Sequence, residues 1–435
     1  MQLKNKTGLS AAIASATCGL LGALPIAQVV AAEVSTANDD PWTIDSALLY
    51  YGESDGRVTD VSLKSAIKRA FDEDRSLNIN FSVDTLTGAS PTGAVPSDTA
   101  QTFTRPSGND TYQTPAGDLP LDDTFHDTRV ALAANWVQPI GASSRIDLGV
   151  SASGEYDYMH VGGNARFEHD FNQRNTTVFA GAAFASDSIE PEGGTPIPFA
   201  PMQAMGNNTS KLTTDSKTVI DGLVGITQIL SRRSLLSMTY SYSVQDGYLN
   251  DPFKLVSVVD SVTGRPVAGP SAGLGLHRYE SRPDSRAKHS LFAEWRYALD
   301  RDSFALSYRA MTDDWGVTSN TLEGRYRWNL SPHSYLEPQL RYYQQTAADF
   351  YRSYLVNGQA LPEFASADYR LAEMTATTAG VKYAVRAKSG EYSVRLEYYQ
   401  QTPKSSDPKI GILANYDLVP PLSAVIVQFG YKFKF

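Results

Sequence analysis

The chain has 435 residues, of which 42% are hydrophobic and 11% aromatic, with a formal net charge of −9 and one cysteine. The acidic balance argues against nucleic-acid binding, which requires clustered positive charge. One cysteine excludes a disulfide within the chain and a metal site built from several thiolates.

The first 32 residues have the layout of a secretory signal peptide. Lys4 and Lys6 give a basic start, an apolar stretch follows, and small residues lead up to a cleavage site after Ala32. Cleavage there would remove both lysines and the cysteine, Cys18, and take the net charge to about −11. No later stretch of eighteen apolar residues predicts a transmembrane helix. We therefore expect either a soluble exported protein or a β-barrel over residues 33–435.

Segments of about ten to fourteen residues then alternate apolar and polar residues, with turn residues between them. Tilted strands of this length, with apolar residues facing lipid and polar residues facing the lumen, are typical of outer-membrane proteins. The segments are 42–53, 60–71, 75–87, 126–138, 145–157, 160–172, 175–187, 216–231, 233–245, 288–299, 302–312, 318–330, 333–346, 374–387, 390–401 and 422–435. The predicted fold class is all-β, a transmembrane antiparallel up-and-down β-barrel of about 16 strands, or 14 if one hairpin fails.

The connections between these segments alternate in length. After even-numbered segments they are short turns, and after odd-numbered segments they are mostly long. The long connections are 88–125, 188–215, 246–287, 347–373 and 402–421. A barrel with both termini in the periplasm shows this parity, with tight periplasmic turns and longer outer loops. A soluble sandwich has no reason to show it, so we expect a location in the bacterial outer membrane, in contact with lipid and lipopolysaccharide.

The last segment carries Phe429, Tyr431, Phe433 and Phe435 on one face. In a closed barrel this strand pairs with the first one, near Trp42, and leaves no exposed edge. The terminal aromatic residue resembles the C-terminal recognition signal of outer-membrane proteins. That resemblance implies that the barrel-assembly machinery recognises the chain.

Charged residues in the later segments alternate with the apolar ones. A charge on the lipid face costs roughly 2–4 kcal/mol at the midplane for Arg or Lys, so these charges are expected to face the lumen. The residues are Glu294, Arg296, Arg309, Glu323, Arg325, Arg327, Glu337, Arg341, Lys382, Arg386, Arg395 and Glu397. They either line a polarised path for a polar or anionic solute or form a salt-bridge ladder that only packs the wall.

A second set of polar and charged residues surrounds the long connection 246–287. Opposite charges at this density can hold a loop by bidentate Arg–carboxylate pairs, and a loop held inside the lumen would narrow the pore. The set consists of Asp246, Asn250, Asp251, Arg278, Glu280, Arg282, Asp284 and Arg286. Substrate recognition by the same residues is an alternative, and a Ca²⁺ site lacks the oxygen spacing of a loop motif.

Motifs for enzymatic chemistry are missing from the sequence. The six histidines make neither HExxH nor a close pair with metal-ligand spacing, and no GxSxG occurs. In "FEHDF", Glu168 and Asp170 share one strand face and His169 lies on the other. We therefore expect no enzyme, no metal and no cofactor, although strands far apart in sequence can still assemble a site.

Three stretches resemble the signature blocks of a bacterial family known only as a domain of unknown function and predicted to form outer-membrane barrels. They are "EYDYMHVGGNARFEHDFNQRNTTVFAGAAFASDSIEP" (155–191), "QDGYLNDPFK" (245–254) and "HRYESRPDSRAKHSLFAEWRY" (277–297). The resemblance extends over most of the mature chain. The resemblance implies that the gene lies near genes for a thioredoxin-like protein, a small lipoprotein and a flavin transferase. It therefore implies a link to extracytoplasmic redox chemistry or to export of a modified product.

Two functions follow from these expectations. The first is a loop-constricted pore or export or uptake channel for a small polar solute or modified peptide. The second is a sealed barrel that acts as a docking or assembly partner of a periplasmic redox protein or lipoprotein. The two differ in whether the lumen conducts.

Overall fold

The computed structural model describes residues 42–71, 74–207, 209–271, 273–405, 407–419 and 421–435. The signal peptide predicted at residues 1–32 lies outside the described residues. Among the described residues, no helix has the length and apolar character needed to cross a bilayer.

Apart from three short 3₁₀ helices, the regular secondary structure of the described residues consists of β-strands. The strands are β1 (Thr43–Glu53), β2 (Thr59–Ala70), β3 (Ser76–Pro91), β4 (Gln101–Thr104), β5 (Thr111–Thr114), β6 (Leu121–Ile140), β7 (Ser144–Gly154), β8 (Tyr158–Phe171), β9 (Thr176–Ile189), β10 (Asp215–Ser231), β11 (Ser234–Gly247), β12 (Leu255–Val259), β13 (His277–Tyr279), β14 (Ser285–Ala298), β15 (Ser303–Asp313), β16 (Thr318–Ser331), β17 (Ser334–Gln345), β18 (Leu355–Val356), β19 (Glu373–Ala387), β20 (Gly390–Lys404) and β21 (Leu422–Lys434). All except β4, β5, β12, β13 and β18 form one closed antiparallel barrel in chain order. The predicted sixteen-stranded, up-and-down barrel is confirmed.

Alternation along each strand separates an apolar outer face from a polar lumen. In β7, for example, Leu148 and Val150 are exposed on the outer face. On the opposite face of the same barrel, Asn135 of β6 donates a 2.9 Å hydrogen bond to Asp147 of β7. Side chains with this period of two place every second residue in the same environment, which is why sixteen local patterns sufficed to predict the strands.

The barrel closes between the first and last strands. β1 pairs with β21 over eleven residue pairs, from Thr43↔Lys434 to Glu53↔Ala424. Trp42 and Phe435 exchange backbone hydrogen bonds of 2.9 and 3.0 Å beyond the end of this ladder. Phe429 and Phe435 are exposed, as residues of the outer face. The rings of Tyr431 and Phe433 stack with a centroid distance of 5.0 Å, and Tyr431 also stacks on Tyr392.

The connection predicted at 88–125 is shorter in the structure, where it spans residues 92–120. β3 and β6 continue to pair as far as Pro91↔Leu121, past a bulge between Gly88 and Ser90. Gly88 adopts a φ of +133°, and a Cβ there would collide with the carbonyl of Arg57. The turn residues Gly88 and Pro91 predicted a strand end, whereas the bulge lets the ladder continue. Between these strands, β4 and β5 form a hairpin.

Candidate functional site

The twelve charged residues predicted to face the lumen all lie on the strand face opposite the exposed apolar side chains. Glu294, for example, is buried, while its neighbour Trp295 is exposed. Nine of the twelve belong to ion pairs, four of which cross from strand to strand while three lie within one strand. The pairs are Arg296–Glu294, Arg325–Glu294, Arg325–Glu323, Arg327–Glu337, Arg386–Glu391, Arg395–Glu337 and Arg395–Glu397.

The remaining members of this set make other contacts. The Arg309 guanidinium lies 5.1 Å from the Phe292 ring centroid, and the Lys382 ammonium lies 5.7 Å from that of Tyr335. Arg341 is exposed to the lumen. The wall is therefore polar, but most of its charge is neutralised by neighbours, so the lumen has no large field of one sign.

Sequence reasoning missed a matching set of lumen charges in the first half of the barrel. Arg129 binds Asp84 at 2.7 Å, and Arg145 binds Asp170 at 2.8 Å. Lys217 lies 3.5 Å from Asp187. The same alternation identifies these residues. In β3, β6, β7, β8, β9 and β10, every second residue faces the lumen, and these charged residues occupy those positions, whereas the exposed apolar residues occupy the positions between them.

The long connections meet over one end of the barrel and pack on each other. We call their described residues within 92–120, 190–214, 248–284, 346–372 and 405–421 the plug. β12 pairs with β13 of its own connection and, in parallel, with β18 of another. Ser281 and Ala365 of the same two connections exchange backbone hydrogen bonds of 2.9 and 2.8 Å. The loops therefore form a small folded unit rather than five independent excursions.

The plug has an apolar core of its own. Phe103 at the β4–β5 hairpin is fully buried, with Ala94, Met202, Leu255 and Tyr279 around it. A second cluster joins Val256 and Val258 to Leu355 and Ala365, and a third joins Val259 to Tyr354 and Leu413. Burial of this kind stabilises a loop assembly by about 1.5–3 kcal/mol for each large side chain.

Contacts with the wall show that the plug crosses the mouth of the barrel. Tyr248 packs with Tyr158 and Ile189 at the ends of β8 and β9. The plug residue Tyr369 lies under the Arg57 guanidinium, between β1 and β2, at 5.7 Å. Val317, immediately before β16, shares an apolar cluster with plug residues. These strands lie far apart in the closed order of sixteen, so a unit that touches all of them spans the opening.

A buried group of charges ties two of the plug connections together. We call this group the latch. It consists of Asp251, Lys254, Glu280 and Arg282 from one connection and Asp368 and Arg370 from another. Arg282 binds Glu280 at 2.6 Å and Asp368 at 2.9 Å. Arg370 binds Asp368 at 2.6 Å and also Asp251. Three carboxylates and three cations balance, which is the condition for burying charges at tolerable cost.

Neutral groups complete the latch and fix it to the wall. The backbone N–H of Arg282 donates to the Asn250 amide oxygen at 2.7 Å. Ser366 donates to Glu280 at 2.5 Å. The Lys254 ammonium donates to the carbonyl of Pro91, at the end of β3, at 2.5 Å. The latch thus joins two plug connections and one barrel strand.

Burial shifts the ionisation of plug residues in opposite directions. Burial alone would raise the pKa of Asp368, but Arg370 and Arg282 beside it hold that pKa below its usual range. Burial raises the pKa of Glu280, with Arg282 opposing the shift. Burial lowers the pKa of His277 to about 4. Asp368 therefore stays ionised and His277 stays neutral at pH 7.

The residues predicted to pin the 246–287 connection divide into three groups. Asn250, Asp251, Glu280 and Arg282 meet in the latch. Arg286 instead binds Asp313 of the next hairpin at 2.5 Å, and Arg278 donates to the carbonyl of Phe199 at 2.7 Å. Asp246 and Asp284 are exposed, and within the described part of the chain neither makes an ion pair. Asp368 and Arg370 were missed, because they lie in a different connection.

One group of carboxylates has the spacing to hold a metal ion. Oxygen atoms of Asp127, Glu155 and Asp157 lie within 4.8 Å of one another. Burial raises the pKa of Glu155 to about 9, and the hydrogen bond and charge of Asp127 add to the shift. A neutral Glu155 that donates to Asp127 accounts for this group without a cation.

A family model described as "Protein of unknown function (DUF3570)" matches residues 10–433. No curated protein matches the sequence significantly. Among solved structures, a bacterial polysaccharide outer membrane secretin aligns over 92% of this chain and 100% of its own, with 8% identity and a TM-score of 0.44. A mutant ferric enterobactin receptor from Pseudomonas aeruginosa aligns over 91% of this chain and 61% of its own, with 9% identity and a TM-score of 0.43. CdiB from Acinetobacter baumannii aligns over 90% and 60%, with 10% identity and a TM-score of 0.43. These similarities concern barrel architecture alone.

Proposed function

The chain belongs to the DUF3570 family, and from its structure we propose that it is an outer-membrane channel that the plug closes and that opens when the latch separates. The observation that carries the proposal is the buried latch between two loop connections that cover the mouth. Sixteen strands enclose space for an aqueous path, whereas eight would be filled by side chains. A gated channel needs a path that is closed by a set of contacts and that opens when those contacts break.

The outer face supports a position in the outer membrane. Large apolar side chains such as Val150, Leu340 and Phe184 are exposed there, and in a membrane they contact lipid. In this proposal the plug faces the lipopolysaccharide side and the short turns face the periplasm.

The lumen chemistry supports a small polar cargo, either a solute or a modified peptide. Paired charges such as Arg325 with Glu294 keep the path wet without a net field, so they do not favour one ion sign strongly. Within this proposal the latch, rather than a charged constriction, decides when cargo passes.

A sealed barrel is the second candidate, and the packing of the plug favours it. Phe103, Val256 and Leu413 are fully buried, and a core of this quality resists opening. In that case the barrel serves as an assembly partner for a small lipoprotein or a periplasmic redox protein. The partner would bind the periplasmic turns, which the plug leaves free.

A reversible disulfide between the two latched connections tests the channel proposal. Ser281 and Ala365 exchange two backbone hydrogen bonds, and residues paired in this way have Cα atoms about 5.5 Å apart, within disulfide range. The variant Ser281→Cys/Ala365→Cys is combined with Asp368→Asn and placed in liposomes. Swelling in arabinose is measured oxidised and after reduction. We expect swelling only after reduction, because the disulfide holds the loops together when the latch is weakened.

The same experiment separates the two candidates. Equal swelling of the oxidised and reduced forms would contradict a gate made by these loops. No swelling in either form, from protein shown to be folded by heat-dependent gel mobility, would contradict the channel and favour the sealed partner. Asp368→Asn without the cysteines is the matched control for the reducing agent.

A further inference from the structure

Three side chains on adjacent strands meet in the lumen in an arrangement known from nucleophilic catalysis. Ser151 on β7, His160 on β8 and Asp187 on β9 all point inward, since exposed Val150, Met159 and Phe184 hold the opposite parity. Ser151 Oγ lies 3.1 Å from His160 Nε2. His160 Nδ1 lies 2.7 Å from Asp187 Oδ1. We propose that these residues form a serine hydrolase site that cleaves carboxylic esters inside the barrel.

The hydrogen bonds assign each nitrogen a role. An ionised Asp187 only accepts, so His160 Nδ1 carries the proton and donates to it. Nε2 is then the acceptor for the Ser151 hydroxyl, which is the tautomer that a general base requires. Tyr158 also donates to Asp187 at 2.5 Å, and Lys217 lies 3.5 Å away. These partners hold the carboxylate ionised and in place.

The wall next to the pair is built from small residues. A Cβ at Gly162, opposite Ser151 in the ladder, would lie 3.0 Å from Ser151 Oγ and 3.3 Å from His160 Nε2. Glycine therefore keeps open the space where a substrate carbonyl would approach. A Cβ at Gly149 would lie 2.5 Å from Asn164 Nδ2, so this amide covers the position two residues before Ser151. Asn164 is the candidate donor to the oxyanion.

The site is partly open to the lumen. Asp187 is fully buried, but the His160 side chain is 12% exposed and Ser151 is half-buried. A nucleophile and base in contact with the lumen, held by a buried orienting carboxylate, match the order of exposure that such a triad needs.

The chemical step balances without a cofactor. Ser151 Oγ bonds to the ester carbonyl carbon as its proton passes to His160 Nε2. The bond to the alkoxy oxygen breaks, and His160 returns the proton to the leaving alcohol. Water then attacks the acyl-serine, gives a proton to His160, and Ser151 regains its proton as the carboxylic acid departs. The net reaction is ester and water to acid and alcohol.

Small residues line the wall beside the pair and leave room for the acyl group of a substrate. Gly162 pairs with Ala185, and Asn164 pairs with Ala183, so small side chains continue across β9. The proposal is independent of channel gating, because a substrate can reach the lumen from the periplasmic end of a barrel that stays plugged.

Covalent labelling tests the site directly. The folded, detergent-purified barrel is treated with a fluorophosphonate probe, the modified residue is identified by mass spectrometry, and p-nitrophenyl acetate turnover is followed in parallel. We expect labelling at Ser151, loss in Ser151→Ala, and at least a hundredfold lower labelling rate in His160→Gln. Ser153→Ala, which removes the next lumen serine on the same strand, leaves labelling unchanged.

A further readout separates catalysis from structure. Gly162→Ala, which fills the approach space, lowers the rate while heat-dependent gel mobility stays normal. No modification of Ser151 in the folded wild type, or equal labelling in His160→Gln, would overturn the proposal.

Discussion

Asp368→Asn is expected to open the barrel. The Asp368 carboxylate binds both Arg282 and Arg370, so the substitution leaves two buried guanidiniums with too little negative charge. Removing one partner of a buried ion pair costs about 3–5 kcal/mol. Because the amide keeps one acceptor oxygen, the lower end applies, and about 3 kcal/mol corresponds to roughly a hundredfold larger open population. Open probability in planar bilayers measures this change.

Asp284→Asn is the matched control for this prediction. Asp284 lies in the same connection as the latch residues, but its side chain is exposed. The same chemical change there should leave the open probability at the wild-type level. An Asp368→Asn barrel that is folded and as closed as the wild type would show that the latch does not hold the plug.

Acidification is expected to loosen the plug through His277. This side chain is fully buried, Nδ1 bonds Ser257 at 3.0 Å, and its ring lies 4.8 Å from that of Phe103. Burial lowers its pKa to about 4, whereas the exposed group titrates near about 6.5. Between these values the open state binds more protons, so stability falls as the pH falls.

The size of this effect follows from the two pKa values. At pH 5 the plug should lose about 2 kcal/mol relative to pH 7.5, and below pH 4 the loss should level off near about 3 kcal/mol. Hydrogen exchange of the β12 and β13 amides, corrected for the intrinsic pH dependence, measures the free energy of opening at both pH values.

The variant His277→Gln isolates the contribution of this side chain. Burial raises the pKa of Glu280, which stabilises the plug at lower pH and therefore opposes the His277 effect. The pKa of Asp368 lies below its usual range, so the stabilisation from this carboxylate is lost only at pH values below the two compared here. The difference between wild type and His277→Gln should carry the predicted 2 kcal/mol, while exposed His333→Gln should match the wild type. Equal pH dependence in all three proteins would contradict the assignment.

The barrel could be predicted almost strand by strand because its signal is local. The period-two alternation of a strand can be recognised within about ten residues. The alternation of short and long connections can be recognised once the segments are placed in chain order. The bounds failed at β3 and β6, where the bulge after Gly88 carries the ladder through turn residues. Gly88 at this bulge lies close to the carbonyl of Arg57, and local sequence does not reveal that approach.

The candidate sites were harder to predict because their partners are distant in sequence. Arg282 and Glu280 lie two residues apart and stood out, but Asp368 and Arg370 lie in another connection and depend on the pairing of β12 with β18. Ser151, His160 and Asp187 lie on three strands whose relative register sequence alone does not determine. "FEHDF" drew attention to His169, whereas the histidine that faces the lumen is His160.

Single-channel recording of the folded wild-type protein tests the central claim most directly. If a latched plug closes a conducting lumen, the trace should rest at zero current, with rare openings whose amplitude equals that of Asp368→Asn. Steady conduction by the wild type would show that the plug does not close the mouth. Zero current from both proteins would show that the barrel does not conduct.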